Sequence, residues 1–259
     1  MTNLNFKEWG FHMFDLTVME WFIVLLCAMF IGLSKSGIPN MVILVVTVLM
    51  FVFPARESIG ILLPLLLVGD CFAIFYYRRS VVWKHLISLI PWVLTGILSG
   101  YFVLLLINSE QLEPLIGIIV LSMIALHIWR NRLGERFNEL LPKSKTFTGM
   151  MGILGGFTTM IGNAAGGVMT VYLLVKGLPK KEFVGTSAWF FLSVNLVKVP
   201  FYVNLGLITR ESITFNAWLV PAVVIGALIG IRILPLIPQK VFATLILVLA
   251  AIGGLNLVF

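Results

Sequence analysis

Two glycine-rich interruptions of long apolar runs carry the polar groups with which this chain could do chemistry. Segment 32–40 (GLSKSGIPN) lies within the apolar run 16–53, and segment 155–167 (GGFTTMIGNAAGG) lies within the run 147–175. Glycine weakens a helix, and in hydrocarbon a non-helical backbone survives only where protein or a watery cavity covers it. Paired breaks at corresponding places in two halves are typical of a transporter's binding site. Close helix packing would also use glycines, but it does not require the lysine at position 35.

The chemistry that such breaks favour is the binding of a small oxyanion. If each break is the tip of a hairpin, a second short helix begins there, around 37–41 and 163–167. That helix directs its free amides and its positive dipole end into the cavity. Hydroxyl and amide groups beside the tips add hydrogen-bond donors. The predicted substrate contacts at the two tips are Ser34, Lys35, Ser36, Gly37, Thr158, Thr159, Asn163 and Ala164.

Lys35 is the first candidate for the substrate's counter-charge, because a lysine at membrane depth is costly without a partner. The alternatives are that it pairs with Asp70 or that it neutralises the C-terminal dipole of the first half-helix. Asp70 lies two-thirds along its own apolar run. It is either a protonatable group that couples transport to proton flow or, in the interpretation that we favour, a fixed structural partner of Lys35 or of a hairpin amide.

Three residues of a later apolar run complete the predicted binding site. Asn195 stands in the second half where Asp70 stands in the first. Lys198 follows one helical turn later on a similar face, and it is either a second cation at the site or a side chain that snorkels to the interface. Trp189 is either a wall of the cavity or a packing residue.

The composition excludes most other classes of protein. The chain has 259 residues, of which 60% are hydrophobic, and a mean hydropathy of +1.07, so it is a polytopic membrane protein. Its net charge of +7 comes mainly from basic residues in short loops, a positive-inside pattern rather than a nucleic-acid-binding surface. Two cysteines indicate neither a disulfide framework nor a metal site, and no catalytic motif is present. We therefore predict no enzyme activity, cofactor or metal.

Ten apolar runs predict an all-α fold. The runs 41–53 and 167–178 are too short to cross about 30 Å of hydrocarbon, so each is predicted to form a hairpin with the run before it, with a tilted full crossing as the alternative. The ten runs lie near 16–33, 41–53, 58–77, 85–107, 114–130, 147–161, 167–178, 183–203, 212–234 and 240–258.

The two halves are predicted to be inverted repeats. The string 54–60 (PARESIG) aligns without gaps onto 179–185 (PKKEFVG), and the same offset carries Asp70 onto Asn195. Each repeat then has a broken-helix hairpin and three transmembrane helices. An odd number of spans in each half makes the halves face opposite ways. The predicted divisions are a first repeat 1–130 with hairpin 16–53, a basic cytoplasmic linker 131–146, and a second repeat 147–259 with hairpin 147–178.

The strings GLSKSGIPN, PARESIGILLPLLLVGD, YYRR, FTTMIGNAAGG and PKKEFVGTSAWFF resemble, in this order, those of the TauE/SafE sulfite exporter family. The resemblance covers nearly the whole chain and is more specific for the fold than for the substrate. It implies a transporter of sulfur-containing anions, such as sulfite or organosulfonates, and some members handle other small organic anions.

We therefore expect a secondary transporter that exports a small organosulfur anion, such as sulfite or sulfoacetate, by alternating access across the cytoplasmic (inner) membrane. Placing the basic loops in the cytoplasm puts both termini outside. The alternatives are an anion channel, a carrier of non-sulfur organic anions, and a membrane component of a larger complex. The expected partners are the anion and the lipid bilayer, without nucleic acid. The glycines of segment 226–230 are consistent with a homodimer and equally with packing inside one monomer.

Overall fold

The computed structural model describes residues 15–35, 41–77, 80–134, 144–233 and 239–259, and in these ranges the chain is helical without strands. A helix stands at each of the ten predicted apolar runs, which confirms the all-α prediction. The helices are α1 Val18–Ser34, α2 Met41–Leu49, α3 Ala55–Tyr77, α4 Trp83–Leu106, α5 Ser109–Leu133, α6 Lys145–Gly162, α7 Gly166–Val175, α8 Lys180–Asn204, α9 Arg210–Ile233 and α10 Gln239–Val258.

Local sequence signals define several helix ends. Thr17 and Asn108 each close a capping box, in which the N-cap side chain and the residue three positions later satisfy one another's backbone amides. Ser144 accepts from the Phe147 amide and begins α6. That helix ends at Asn163, which has φ 54° in the left-handed region that asparagine tolerates better than most residues. The break between α6 and α7 is therefore encoded in the residues at the tip.

Five of the described helices are long and apolar enough to cross a membrane, namely α3, α4, α5, α8 and α9. Large apolar side chains cover the outside of the bundle: Phe102 is 61% exposed, Leu106 85% and Trp218 70%. Exposure of many large apolar side chains is unfavourable in water and suits a hydrocarbon environment.

The helices of the two halves pack against each other rather than only among themselves. Helix α1 lies along α9, and α6 lies along α4. The two helices of each pair approach closely because glycines of both helices lie at the contact. A side chain at Gly32 would collide with the backbone of Val223, and one at Gly226 with that of Met29. In the other pair, a side chain at Gly156 would collide with the backbone of Val93, and one at Gly96 with that of Ile153.

We expect Gly156→Ala to destabilise the fold, although alanine forms helices better than glycine. Its methyl group would meet the Val93 carbonyl oxygen, so α6 and α4 must separate, at a cost of about 1–3 kcal/mol. The neighbouring Gly155→Ala is the matched control, because its methyl group lies 3.6 Å from Val168 in ordinary contact. Thermal unfolding in detergent should show a lower Tm only for Gly156→Ala. Equal Tm values for the two variants would contradict the close packing.

The two ends of the bundle differ in charge. One end carries Glu110 and Glu211 and is here called the acidic end. At this end Arg56, at the start of α3, donates to carbonyl oxygens of Leu104, Ile107 and Leu205. These bonds join the start of α3 to the ends of α4 and α8, beside Glu110 and Glu211.

The opposite end, here called the basic end, holds the start of α8 against the loop before α4. The Val82 amide donates to Thr186 Oγ1 at 3.0 Å. Lys176 reaches Thr148 near the start of α6, so this end collects the starts of α4, α6 and α8 with their lysines. The orientation of these two ends in the membrane stays a prediction.

Candidate functional site

A cavity of about 70 Å³ lies between the hairpins and the two helices α3 and α8. It runs from Asp70 and Asn195, in the interior of those helices, toward the basic end at Phe183. Its volume is far below the several hundred Å³ of a pocket for drug-sized molecules, so its room suits a small solute. The lining residues are Ser34, Lys35, Val42, Leu66, Asp70, Ala73, Thr159, Asn163, Gly166, Phe183, Val184, Ser187, Ala188, Phe191 and Asn195.

A buried ion pair lies at one wall of the cavity. Lys35, at the end of α1, places its Nζ 2.6 Å from Asp70 Oδ1 in α3. The other carboxylate oxygen, Oδ2, accepts from Asn195 Nδ2 of α8 at 2.7 Å. Lys35 Nζ also lies 5.3 Å from the ring centroid of Phe191. Both oxygens of Asp70 are thus occupied by donors, the arrangement of a fixed structural carboxylate.

A second buried lysine ties α8 to the tip of the other hairpin. Lys198 is fully buried, and its Nζ donates to Asn163 Oδ1 at 2.5 Å and to Thr159 Oγ1 at 3.3 Å. The Nζ also lies 5.1 Å from the ring centroid of Tyr202, whose hydroxyl donates to the Met160 carbonyl oxygen at 2.8 Å. Two neutral acceptors and an aromatic face are suitable surroundings for an ammonium group.

The short helix α7 begins at this tip and supplies unused amides. Its N-cap residue, Ala165, makes no side-chain cap, and the Met169 amide is the first to bond back, to the Ala165 carbonyl oxygen. The amides of 166–168 therefore lack helical acceptors. Since Gly166 lines the cavity, the positive end of the α7 dipole lies at its wall.

The structure brings together half of the predicted site residues at this cavity. Ser34, Lys35, Thr159, Asn163, Asn195 and Asp70 line it. Lys198 stands one hydrogen bond behind the wall and is buried rather than snorkelling. Ser36 and Gly37 lie outside the described residues.

Three further predicted site residues do not line the cavity. Thr158 turns its hydroxyl to the Leu154 carbonyl oxygen within its own helix. The buried Ala164 uses its amide for the Thr158 carbonyl oxygen at the end of α6. Trp189 packs on Trp83, with ring centroids 5.1 Å apart.

One face of α8 forms a wall that the sequence interpretation did not include. Its members are Phe183, Val184, Ser187, Ala188 and Phe191, which lead up to Asn195. Residues 187, 191 and 195 are spaced by four, so they share one helix face. Extending the predicted Asn195 backward in steps of four would have identified them.

Thr159→Val is expected to raise the KM for the transported solute about tenfold, because it removes a hydroxyl that lines the cavity and contacts Lys198. Thr158→Val is the matched control, since it removes the adjacent buried hydroxyl, which bonds only within α6 among the contacts described. Initial rates in proteoliposomes over a range of substrate concentrations measure both. A KM that rises equally in the two variants would contradict the assignment of Thr159 to the site.

Among the described residues, no group of three histidine, cysteine, aspartate or glutamate side chains is arranged to hold a metal ion. The polar groups of the cavity are instead ammonium, amide, hydroxyl and helix-terminal groups around one carboxylate, a donor-rich set suited to an anion.

Comparisons with known proteins agree with this chemistry. The sequence model of the family described as Sulfite exporter TauE/SafE matches residues 24–257, nearly the whole chain. No curated protein and no solved structure matches this chain. The match and the five apolar spanning helices make this a multi-pass membrane protein of a transporter family. The chain belongs to the sulfite exporter TauE/SafE family.

Proposed function

We propose that this protein is a secondary transporter that exports a small sulfur oxyanion, such as sulfite or sulfoacetate, by alternating access. The observation that carries the proposal is a cavity lined by an ammonium group and by the N-terminus of a helix. Lys35 and Gly166, the first residue of α7, line the cavity, and Lys198 lies directly behind its wall. An ammonium group and the positive end of a helix dipole both favour a small anion.

The donors around the cavity suit the shape of an oxyanion. Lys35 approaches from α1, the amides at the start of α7 from the second hairpin, and Ser187 from α8. Donors from three directions match the several acceptor oxygens of a sulfite or sulfonate group. The cavity volume of about 70 Å³ favours a compact solute over a bulky one.

Two features of the helix packing support the proposal that the two halves of the chain are inverted repeats. The packing of α1 on α9 corresponds, after exchange of the halves, to the packing of α6 on α4, and each pair uses a reciprocal pair of glycines. Asp70 bonds to Asn195, its counterpart in the other half 125 residues later. A residue that contacts its own counterpart lies close to the axis that relates two repeats. The cavity would then lie at the repeat interface, where alternating access places a substrate site.

The direction of transport follows from the charges at the two ends. If the basic end faces the cytoplasm, the cavity extends toward the cytoplasm and both termini lie outside. A negative-inside potential then drives an anion outward with about 2.3 kcal/mol per charge per 100 mV. Export is the favoured direction on this account.

Counterflow in proteoliposomes tests the proposal. Liposomes loaded with unlabelled anion should accumulate external labelled anion transiently, for sulfite, sulfoacetate or both. Sulfate, a zwitterionic sulfonate and a simple carboxylate define the selectivity. A carrier of non-sulfur anions would show counterflow only with the carboxylate. Fluxes far above carrier rates without counterflow would indicate a channel and overturn the carrier mechanism.

A further inference from the structure

We infer that the preferred substrate is a sulfonate monoanion whose substituent is a short uncharged hydrocarbon chain, rather than one that carries a hydroxyl group or a second charge. The inference rests on the proposed function and adds which part of the solute the rest of the cavity recognises. It follows from the order in which polar and apolar side chains line the path from the hairpins to the basic end.

Helices α3 and α8 give the level of each lining residue because they run in opposite directions. Arg56, at the start of α3, donates to the Leu205 carbonyl oxygen at the end of α8, and both line the acidic end. Asp70 and Asn195 are joined at 2.7 Å, so they share one level in the interior. The residues of α8 before Asn195 therefore lie between that level and the basic end, as do the residues of α3 after Asp70.

Most polar groups of the cavity gather near the level of Asp70. Lys35 and Asn195 both bond to Asp70. Thr159 and Asn163, at the second hairpin, bond to a lysine that lies one helical turn after Asn195. A sulfonate group placed at this level meets an ammonium group together with hydroxyl and amide groups.

The path from this level to the basic end is mostly apolar. The stretch begins beside the ammonium group itself, because Lys35 Nζ lies 5.3 Å from the ring centroid of Phe191. From Phe191 to Phe183 it extends about 12 Å along α8, at about 1.5 Å per residue. Ser187 is the one polar side chain among the α8 residues that line it. Its apolar lining residues are Phe183, Val184, Ala188 and Phe191 of α8 and Ala73 of α3.

Toward the acidic end the room ends within one helical turn. Leu66, one turn from Asp70, is buried, and Lys198, one turn from Asn195, is fully buried behind the wall. Among the described residues of α3 and α8, no lining residue lies further in that direction. A substituent on the bound sulfonate therefore extends toward the basic end, along the apolar stretch.

The apolar stretch favours one kind of substituent. A hydrocarbon chain there leaves water for an apolar wall, and each methylene that fits should tighten binding about three- to fourfold. A hydroxyl or carboxylate group would lose its water in exchange for at most the hydroxyl of Ser187. The carboxylate of sulfoacetate cannot pass beyond the stretch to the lysines of the basic end, because its two-carbon frame is much shorter than about 12 Å. The cavity volume of about 70 Å³ limits the gain to short chains.

Competition for counterflow tests the inference with solutes of matched size. Proteoliposomes take up the labelled sulfur anion that shows counterflow, and unlabelled sulfonates are added outside. Propane-1-sulfonate and 2-hydroxyethanesulfonate have the same charge and the same number of heavy atoms, but one ends in a methyl and the other in a hydroxyl group. We expect propane-1-sulfonate to compete at about tenfold lower concentration. Methanesulfonate, ethanesulfonate and propane-1-sulfonate should compete increasingly well in this order.

The possible failures of this inference and of the proposed function are distinct. Equal competition by the matched pair, or stronger competition by 2-hydroxyethanesulfonate or sulfoacetate, overturns the inference and leaves the proposed function intact. A wild-type protein without counterflow of any sulfur anion refutes the proposed function and this inference with it.

Two substitutions of opposite size test whether the substituent lies beside α8. Ala188→Val narrows the apolar stretch, so it should weaken competition by propane-1-sulfonate about tenfold and leave methanesulfonate nearly unchanged. Val184→Ala widens the stretch and should extend the improvement with chain length to butane-1-sulfonate. Val203→Ala, at an exposed position of the same helix, is the control and should keep the wild-type selectivity. Wild-type chain-length dependence in both cavity variants would overturn the inference.

Discussion

The double substitution Lys35→Gln with Asp70→Asn is expected to leave a folded protein whose anion transport is strongly reduced. It removes both charges of the 2.6 Å pair together, so no buried charge of the pair is left alone. What disappears is the cation that lines the cavity, while Lys198 remains behind the wall. Losing a charge-assisted contact to the anion costs about 1.5–3 kcal/mol, or about 10- to 150-fold in affinity.

Counterflow at fixed substrate concentration measures this variant, with Lys84→Gln as the charge-loss control away from the cavity. Size-exclusion profile and Tm establish that the double variant is folded. Counterflow at the wild-type rate would contradict direct contact of Lys35 with the anion. Lys35 would then serve only as the partner of Asp70, the alternative that the sequence left open.

The single substitution Asp70→Asn is expected to destabilise the protein by about 3–5 kcal/mol. It strands Lys35, which would lie at the cavity wall without a counter-charge. Adding Lys35→Gln to the same chain should restore much of this loss, because the stranded charge is then removed. Thermal unfolding in detergent of wild type, both single variants and the double variant measures the coupling between the two positions.

A contrasting result is expected if Asp70 is a proton carrier rather than a fixed partner. Asp70→Asn would then keep its Tm, lose proton-driven transport and retain anion exchange. Both carboxylate oxygens of Asp70 accept hydrogen bonds, one from Lys35 and one from Asn195, and this favours the structural role. Lower stability in the single variant and its recovery in the double variant would support that role.

Hydropathy and glycine content predicted the helical fold and the break between α6 and α7, because these features depend on local composition. Lipid excludes an unsatisfied backbone, so long apolar runs form helices wherever they occur. The polar residues inside those runs, Lys35, Asp70, Asn163 and Asn195, could be predicted as site residues on a similar basis. A charged or amide side chain at that depth is costly unless it faces a cavity or pairs with another polar group.

The rotation of each helix about its own axis could not be predicted in the same way. A helix such as α8, whose polar and apolar residues are not segregated to separate faces, gives little indication of which face meets the cavity. The wall from Phe183 to Phe191 was therefore missed, and Trp189, one residue beyond Ala188, was included although it packs on Trp83. The same ambiguity left Lys198 with two interpretations, a second cation at the site or a side chain that snorkels to the interface. The structure excludes snorkelling, because Lys198 is buried against Asn163 behind the cavity wall.

Equilibrium binding to the purified protein tests most directly whether this cavity is an anion site. Sulfite and sulfoacetate would be titrated into wild type and into the Lys35→Gln, Asp70→Asn double variant, with a neutral sulfone of similar size as the uncharged control. The account predicts saturable binding of at least one anion to wild type at one site per chain, no binding of the sulfone, and weakening of about tenfold or more in the double variant. Equal binding of anion and sulfone, or equal anion affinity in both proteins, would contradict it.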